Sequence, residues 1–454
     1  MSDQPNLDPL SLGNVKRFIA FRILFNARFY YPVFTILFLD FGLTLEQFAI
    51  LNAVWALTIV LLEVPSGALA DTIGRRNLVV LSAVIMVAEM LLIAFAPIGN
   101  TQVVFYLFLA NRILSGAAEA AASGADEALA YDSLKEHGLE SQWGKVLERQ
   151  MRLQSMAFIV AMSLGAILYD VDKLNAGIEL LGLDWQLAKS TAMRLPLFGT
   201  LALGLLAVLT TIGMRETSGT EPLGNSWATV RKSFANTLQA GSWILKTPLA
   251  LVVICAGMLF DHIVRMVLTL NSEYYRQIDL PEFSFGFIGA ALALLGTVMP
   301  KLGKAMAENR SKTFNYLVLC LSIGTGLWLM SRFIPFWGAL PMALVYSGIF
   351  LNGFFVSHYL NQITDSRHRA TVLSFKGLSF NLAYGAIGYI YATTIASLRD
   401  NPDIAALPET EKSGALFQTA FTWGPTYFVA LALAVLILAT IRLRFGPGTN
   451  EATR

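Results

Sequence analysis

Residues 67–76 read Gly67-Ala-Leu-Ala-Asp71-Thr-Ile-Gly74-Arg75-Arg76, and they separate two long apolar stretches, 46–70 and 77–97. Small residues let two helices approach closely, and Asp71 is suited to cap the next helix or to pair with an arginine. The two adjacent arginines are suited to anchor a loop at the inner surface of a membrane. The pattern therefore predicts a tight, charged turn between two membrane-spanning helices.

The composition of the whole chain supports the same interpretation. Of the 454 residues, 55% are hydrophobic and only 14% are charged, against roughly 25% charged in soluble globular proteins. Stretches without any Asp, Glu, Lys or Arg are long enough to cross a bilayer, which takes about 20 helical residues: 195–214, 333–364, 377–398 and 413–441. A soluble enzyme is therefore excluded, and the net charge of +2 argues against a nucleic-acid partner.

Apolar runs separated by charged residues or by Pro and Gly predict twelve membrane-spanning helices. They cover residues 17–40, 46–70, 77–97, 101–134, 145–170, 190–214, 246–275, 284–305, 312–333, 336–362, 368–397 and 416–443. We predict an all-α membrane protein whose parts are a cytoplasmic tail (1–16), a six-helix half (17–214), a cytoplasmic linker (215–245), a second six-helix half (246–444) and a cytoplasmic tail (445–454). A single twelve-helix bundle with one long loop is the alternative.

The turn at 67–76 resembles the signature loop of the major facilitator superfamily, in which glycine, aspartate, glycine and two basic residues occur at this spacing. The resemblance is specific because the turn falls between the second and third of twelve predicted spans. In that family the loop helps to lock the outward-facing state, and a plain charged anchor is the alternative. The resemblance implies a conformational gate that consists of Gly67, Asp71, Gly74, Arg75 and Arg76, to which we add Glu63 from the second span.

The fourth predicted span carries a polar face. At about 100° per residue, five residues fall within an arc of roughly 80°: Arg112, Gly116, Glu119, Ser123 and Asp126. A charge facing lipid at the centre of a helix costs at least ~2.5 kcal/mol, so this face must look into protein or into a water-filled cavity. Arg112 and Gly116 also resemble the Arg-x-x-x-Gly pattern of the family's fourth helix. In several drug/proton antiporters of the family this pattern is associated with proton coupling.

We name Glu119, Arg112, Asp126 and Asp261 as candidates for proton coupling. An ion pair between Arg112 and Glu119 with a purely structural role is the alternative.

Further polar residues in the spans are candidates for lining a substrate cavity: Asn26, Arg28, Arg112, His262, Arg265, Asn352, His358, Asn381 and Tyr384. Arg28 lies roughly 17 Å along the helix from Lys16 at 1.5 Å per residue, so it either binds an anionic group or neutralises an acid of another helix. Asp261 and Arg265 have the spacing of a helical ion pair, or they contact substrate. Arg22 is close enough to the inner surface to extend its charge into water.

These features predict a secondary transporter that moves a small organic solute by alternating access with proton coupling. Efflux and uptake both fit, and Arg28, Arg112 and Arg265 would accommodate an anionic solute. The sequence contains no Gly-x4-Gly-Lys-Ser/Thr loop for ATP, and we expect no cofactor, no metal site and no enzymatic activity. The expected partners are the solute, protons and the lipid bilayer, and we expect a monomer. A transporter-like receptor or scaffold without turnover is the alternative.

The topology is directly testable. Lys and Arg are about threefold more frequent on one predicted side, which the positive-inside rule assigns to the cytoplasm. We expect the protein in the inner membrane of the cell. Both termini and the 215–245 linker are therefore expected in the cytoplasm. A cysteine introduced at position 225 should react with a membrane-impermeant thiol reagent only after the cells are opened, and reaction in intact cells would overturn the orientation.

Overall fold

The protein is described by a computed structural model that covers residues 8–217, 226–364 and 369–445. Within these ranges the regular secondary structure is helical, with no strands, which confirms the all-α prediction. The helices are α1 (Gly13–Asn26), α2 (Phe34–Asp40), α3 (Leu45–Ile73), α4 (Arg75–Ala94), α5 (Thr101–Ala122), α6 (Ala125–Glu136), α7 (Trp143–Tyr169), α8 (Val171–Leu180), α9 (Lys189–Ala192), α10 (Leu195–Ile212), α11 (Ser226–Lys246), α12 (Pro248–Thr269), α13 (Asn271–Gln277), α14 (Ser284–Ala293), α15 (Leu295–Asn309), α16 (Lys312–Met330), α17 (Met342–Ile363), α18 (Arg369–Arg399), α19 (Pro402–Ala405) and α20 (Glu409–Phe445).

Among the described residues, ten helical stretches are long and apolar enough to cross a bilayer. Two of the twelve predicted spans are not among these ten. The predicted span at 368–397 corresponds to the long helix α18, and the predicted span at 17–40 corresponds to α1 and α2.

The first predicted span is wrong as a single continuous helix. α1 ends at Asn26, and Tyr31–Val33 forms a short 3-10 turn before α2 begins. Pro32 has no N–H, and its ring disfavours a helical conformation at the residue before it, which favours a break at this point. The backbone N–H of Phe29 instead donates to the hydroxyl of Thr200, at 3.0 Å. A side chain thus satisfies a backbone group that the interruption exposes.

The fourth predicted span is also interrupted. α5 ends at Ala122, and Gly124 has a φ of +77°, a conformation that glycine adopts without steric cost. Asp126 therefore belongs to the first turn of α6, and the helical arc drawn through Arg112, Glu119 and Asp126 is wrong at its last member.

The chain forms two compact units. The first comprises Met1–Val33, Thr58–Ser233 and Glu282–Ala290. In it, α4 packs against α5 and α10, and α1 packs against α6, α7 and α10. α7 approaches its neighbours very closely, because a Cβ on Gly165 would lie only 1.7 Å from the carbonyl oxygen of Phe29. Small residues therefore bring the broken first span into direct backbone contact with α7.

The second unit comprises Phe34–Leu57, Phe234–Pro281 and Ala291–Arg454. At its centre is α12, which packs against α17, α18 and α20. Most of α12 is buried, with 67% of its most apolar stretch inside the protein, whereas only 6% of the most apolar stretch of α20 is buried. α12 can therefore hold polar side chains away from lipid in this unit.

Candidate functional site

An ion pair between Arg28 and Glu89 lies inside the first unit. A guanidinium nitrogen of Arg28 lies 2.6 Å from a carboxylate oxygen of Glu89, and the exposed fractions of these residues are 3% and 0%. Arg28 also donates to the Tyr30 hydroxyl, at 3.2 Å, and the amide of Asn111 donates to the backbone carbonyl of Glu89, at 3.0 Å. Of the two alternatives for Arg28, the geometry matches neutralisation of an acid from another helix.

A polar cavity of about 390 Å³ opens beside α1, α5 and α6 in the same unit. Its charged and polar lining residues are Arg22, Asn26, Glu119, Ser123, Asp126 and Glu127. Arg22 bridges two of the acids: it forms an ion pair with Asp126, and another guanidinium contact reaches Glu127 at 2.9 Å. The cavity lining therefore carries three carboxylates and one guanidinium group.

Glu119 is the exposed carboxylate of α5 in this cavity. Arg112, two helical turns earlier, is only 5% exposed and does not line the cavity. The hydroxyl of Ser66 donates to the carbonyl of Ala120, at 2.7 Å, and so joins α3 to α5 beside Glu119. Glu63 lies one turn before Ser66, and one of its carboxylate oxygens is buried without a hydrogen-bond partner among the described residues.

The turn between α3 and α4 is held by groups from three other segments. Gly74 has a φ of +89°, and a Cβ there would lie 2.6 Å from the carboxylate of Glu216. That carboxylate accepts from the backbone N–H groups of Arg75 and Arg76, at 3.2 and 3.0 Å, and so caps the start of α4.

The two arginine side chains of this turn reach different helices. Arg75 forms an ion pair with Asp132 of α6. Arg76 donates to the backbone carbonyls of Met214 and Ile212 at the end of α10, at 2.8 and 2.9 Å. Gly67 has open space where a Cβ would lie, and the side chain of Asp71 is outside the described residues.

A second polar cluster lies on α12 and α18 in the second unit. Asp261 and Arg265 pair at 2.8 Å, as their spacing predicts. Arg265 also donates to the side-chain oxygen of Asn381, at 3.0 Å, and its guanidinium lies 4.8 Å from the ring centroid of Tyr384. The Tyr384 hydroxyl lies 2.7 Å from that of Thr269. The structure therefore joins four candidate residues in one network with one positive and one negative charge.

Three further candidates of the second unit have partners of their own. One ring nitrogen of His262 lies 3.2 Å from the Tyr427 hydroxyl. Asn352 donates to the carbonyl of Gly257, at 3.0 Å. His358 lies 2.9 Å from the amide nitrogen of Gln362 on its own helix. Among the described residues, no group of His, Cys, Asp and Glu has the arrangement of a metal site.

Sequence reasoning missed the partners that complete these sites. Arg22 was expected to extend into water, but it pairs with Asp126, which lies 104 residues later in the chain. Asp132 and Glu216 hold the turn at 67–76 and were not identified. The one available signal was the acidic pair Asp126 and Glu127 in an otherwise apolar stretch, which requires a basic partner.

Comparison with known proteins identifies the family. The family model of the Major Facilitator Superfamily matches residues 18–389. The chain belongs to the major facilitator superfamily. It is therefore a multi-pass membrane protein with the fold of this superfamily, and the resemblance seen in the turn at 67–76 is confirmed.

Solved structures of other major facilitator proteins have the same fold. The nucleoside transporter NupG is 14% identical, with a TM-score of 0.68, over 94% of this chain and 98% of that chain. A bacterial homolog of the human lysosomal transporter Spinster, inward-facing and unoccupied, is 14% identical, with a TM-score of 0.68, over 95% and 96%. A D-xylose–proton symporter is 13% identical, with a TM-score of 0.61, over 97% and 98%. No curated protein matches the chain by sequence.

The Arg28–Glu89 pair generates a stability prediction. Glu89→Gln leaves the Arg28 charge buried without its counter-ion, which should cost about 3–5 kcal/mol, and the Tm of the purified protein should fall clearly. Replacing both residues with methionine removes both charges and should recover much of the loss. The matched control is Glu308→Gln, because its pair with Lys304 is exposed and long, at 3.8 Å. Equal Tm values for Glu89→Gln and the control would show that the buried pair does not contribute to stability.

Proposed function

We propose that this major facilitator protein is a secondary active transporter of the inner membrane, with both termini in the cytoplasm, which moves a small organic solute by proton-coupled alternating access. The carboxylate-lined cavity of about 390 Å³ among membrane-spanning helices carries the proposal. Its volume lies within the range of about 300–1,000 Å³ that is usual for small-molecule sites. Membership of the superfamily supports transport, rather than catalysis, as the activity of the protein.

Glu119 is the best-supported proton carrier. Charged groups inside a membrane protein are costly and usually paired, and both Asp126 and Glu127 share Arg22. Glu119 forms no ion pair with any described residue and is open to the cavity. A carboxylate that is hydrated in one conformation and enclosed in another releases and binds a proton as the cavity opens and closes.

The ion pairs favour an uncharged polar solute over an anionic one. Arg28 is paired with Glu89, and Arg265 with Asp261. An anion would have to compete with these carboxylates. Structural neighbours named as a nucleoside transporter and as a D-xylose–proton symporter support the same choice, and we propose a polar solute of that size.

Two ion pairs of the second unit support the conformational cycle. Both involve the 34–57 segment of the first two predicted spans. Two guanidinium nitrogens of Arg276 on α13 contact the two carboxylate oxygens of Asp40, each at 2.9 Å. Arg399 at the end of α18 contacts Glu46 at 2.9 Å. The positive-inside rule places this end of the helices outside the cell, so we propose that these pairs form an outer latch that opens when the solute enters from that side.

The proposed function is tested in proteoliposomes with an imposed pH gradient, with uridine, D-xylose, benzoate and tetraphenylphosphonium as labelled solutes. Wild-type protein should accumulate one of the uncharged solutes. Glu119→Gln should abolish accumulation driven by the pH gradient but preserve exchange of that solute, because exchange needs no net proton movement. Arg112→Ala should weaken both. Glu308→Gln is the control, because Glu308 is exposed outside the cavity.

The results separate the alternatives. If Glu119→Gln accumulates solute normally, Glu119 is not the coupling acid, and Asp126, Asp261 or Glu63 becomes the next candidate. If wild-type protein binds a solute but neither accumulates nor exchanges it, the receptor alternative replaces transport.

The outer latch is tested separately by thiol labelling. A cysteine at Thr35, which is 0% exposed, is placed in a background with Cys255→Ser and Cys320→Ser. Arg276→Asp should raise the rate of labelling by an impermeant reagent added outside, because two acids then repel each other. Reversing both charges, with Asp40→Arg and Arg276→Asp, should restore slow labelling. Lys412→Gln is the control, since its partner Glu409 lies on the same helix, and equal rates in all variants would contradict the latch.

A further inference from the structure

Helix α11, which immediately precedes the membrane-spanning helix α12, has an unusual charge. Its 21 residues contain three basic side chains and no acidic one. Arg231 and Lys246 are both exposed. Because the helix also carries apolar residues, its surface is both cationic and hydrophobic.

The exposed apolar residues of α11 lie along one line. The exposed fractions are 41% for Phe234, 71% for Leu238 and 57% for Leu245. Their spacings of four and seven residues place them on one side of an α-helix. We call these three residues the α11 stripe. Three large apolar side chains in a row are unfavourable in water.

The protein covers one edge of this side of α11, where Gly241 lies seven residues after Phe234. Gly241 and Ile244 are buried, and a Cβ on Gly241 would lie 2.6 Å from the ring of Phe375 on α18. This part of α11 is therefore packed against α18, and the side chains of the α11 stripe remain exposed beside that contact.

The position of the stripe indicates what covers it. Only Thr247 separates Lys246 from the first residue of α12, which enters the bilayer. The end of α11 therefore lies at the membrane surface. Helices with an apolar line and basic flanks insert the apolar side chains among the lipid chains and attract anionic headgroups. Arg231 lies about one turn before Phe234, and Lys246 directly follows Leu245, so the basic groups flank both ends of the stripe.

We propose that α11 is an interfacial helix that binds anionic phospholipids of the inner leaflet, with the α11 stripe among the acyl chains and with Arg231 and Lys246 on the headgroups. This surface is separate from the polar cavity and does not depend on the solute. The positive-inside assignment of the linker agrees with an anionic inner surface.

The test uses full-length protein in nanodiscs and reads lipid contact directly. Leu238→Cys, in the background with Cys255→Ser and Cys320→Ser, carries an environment-sensitive fluorophore. The discs hold a small fraction of nitroxide-labelled lipid, either phosphatidylglycerol or phosphatidylcholine with the label at the same acyl position. Gln239→Cys is the matched control, because this exposed neighbour points about 100° away from Leu238 around the helix.

We expect strong quenching at position 238 and weak quenching at position 239. Phosphatidylglycerol should quench position 238 about fivefold more effectively than phosphatidylcholine, since each basic group near the surface attracts anionic lipid. Arg231→Gln with Lys246→Gln should remove this preference while quenching by phosphatidylcholine persists, which also shows that the helix is still folded against the membrane.

Two outcomes would overturn the inference. Equal quenching by both lipids at position 238 would show an interfacial helix without anionic specificity. No quenching at position 238 would show that the α11 stripe does not contact lipid and that a protein surface covers it instead. Neither outcome bears on transport, which the proteoliposome experiment measures independently.

Discussion

The cost of placing charge within a bilayer governs the arrangement of this protein. Arg28 with Glu89 and Arg265 with Asp261 are neutral pairs inside their units. Such pairs are tolerated because each charge has its counter-ion and further hydrogen bonds within reach. Glu119 departs from this pattern, and it does so at a polar cavity. Our proposal places the changing charge at this carboxylate, while the Arg28–Glu89 pair joins two segments of the first unit.

A second constraint is that backbone groups in a membrane need partners within the protein. The chain interrupts its helices at 27–33 and at 123–124, where Pro32 and Gly124 stand. Both interruptions adjoin residues of the candidate sites: Arg28 lies in the first, and Ser123 and Asp126 lie in or beside the second. A regular helix would direct these side chains elsewhere. The break in the helix allows them to point toward the protein interior.

Much of the fold follows from the sequence, because long apolar runs and flanking charges are local signals. The sequence also predicts the Asp261–Arg265 pair, since its spacing is that of one helical turn. Long-range partners are not local signals. Arg22 and Asp126, Arg75 and Asp132, and Arg276 and Asp40 are distant along the chain, and only the packing brings them together. A regular period of 100° per residue likewise cannot reveal the break at Gly124, so Asp126 was assigned to the wrong helix.

The break in the first span has a consequence for biosynthesis. α1 has 14 residues, about 21 Å at 1.5 Å per residue, which is shorter than the hydrocarbon core of about 30 Å. The Arg28 charge follows directly, and its partner Glu89 emerges from the ribosome 61 residues later. α1 therefore reaches the thickness of the bilayer only together with α2, and the Arg28 charge lies between these two helices. During synthesis the Arg28 charge therefore has no counter-ion from Glu89 until α4 has been made.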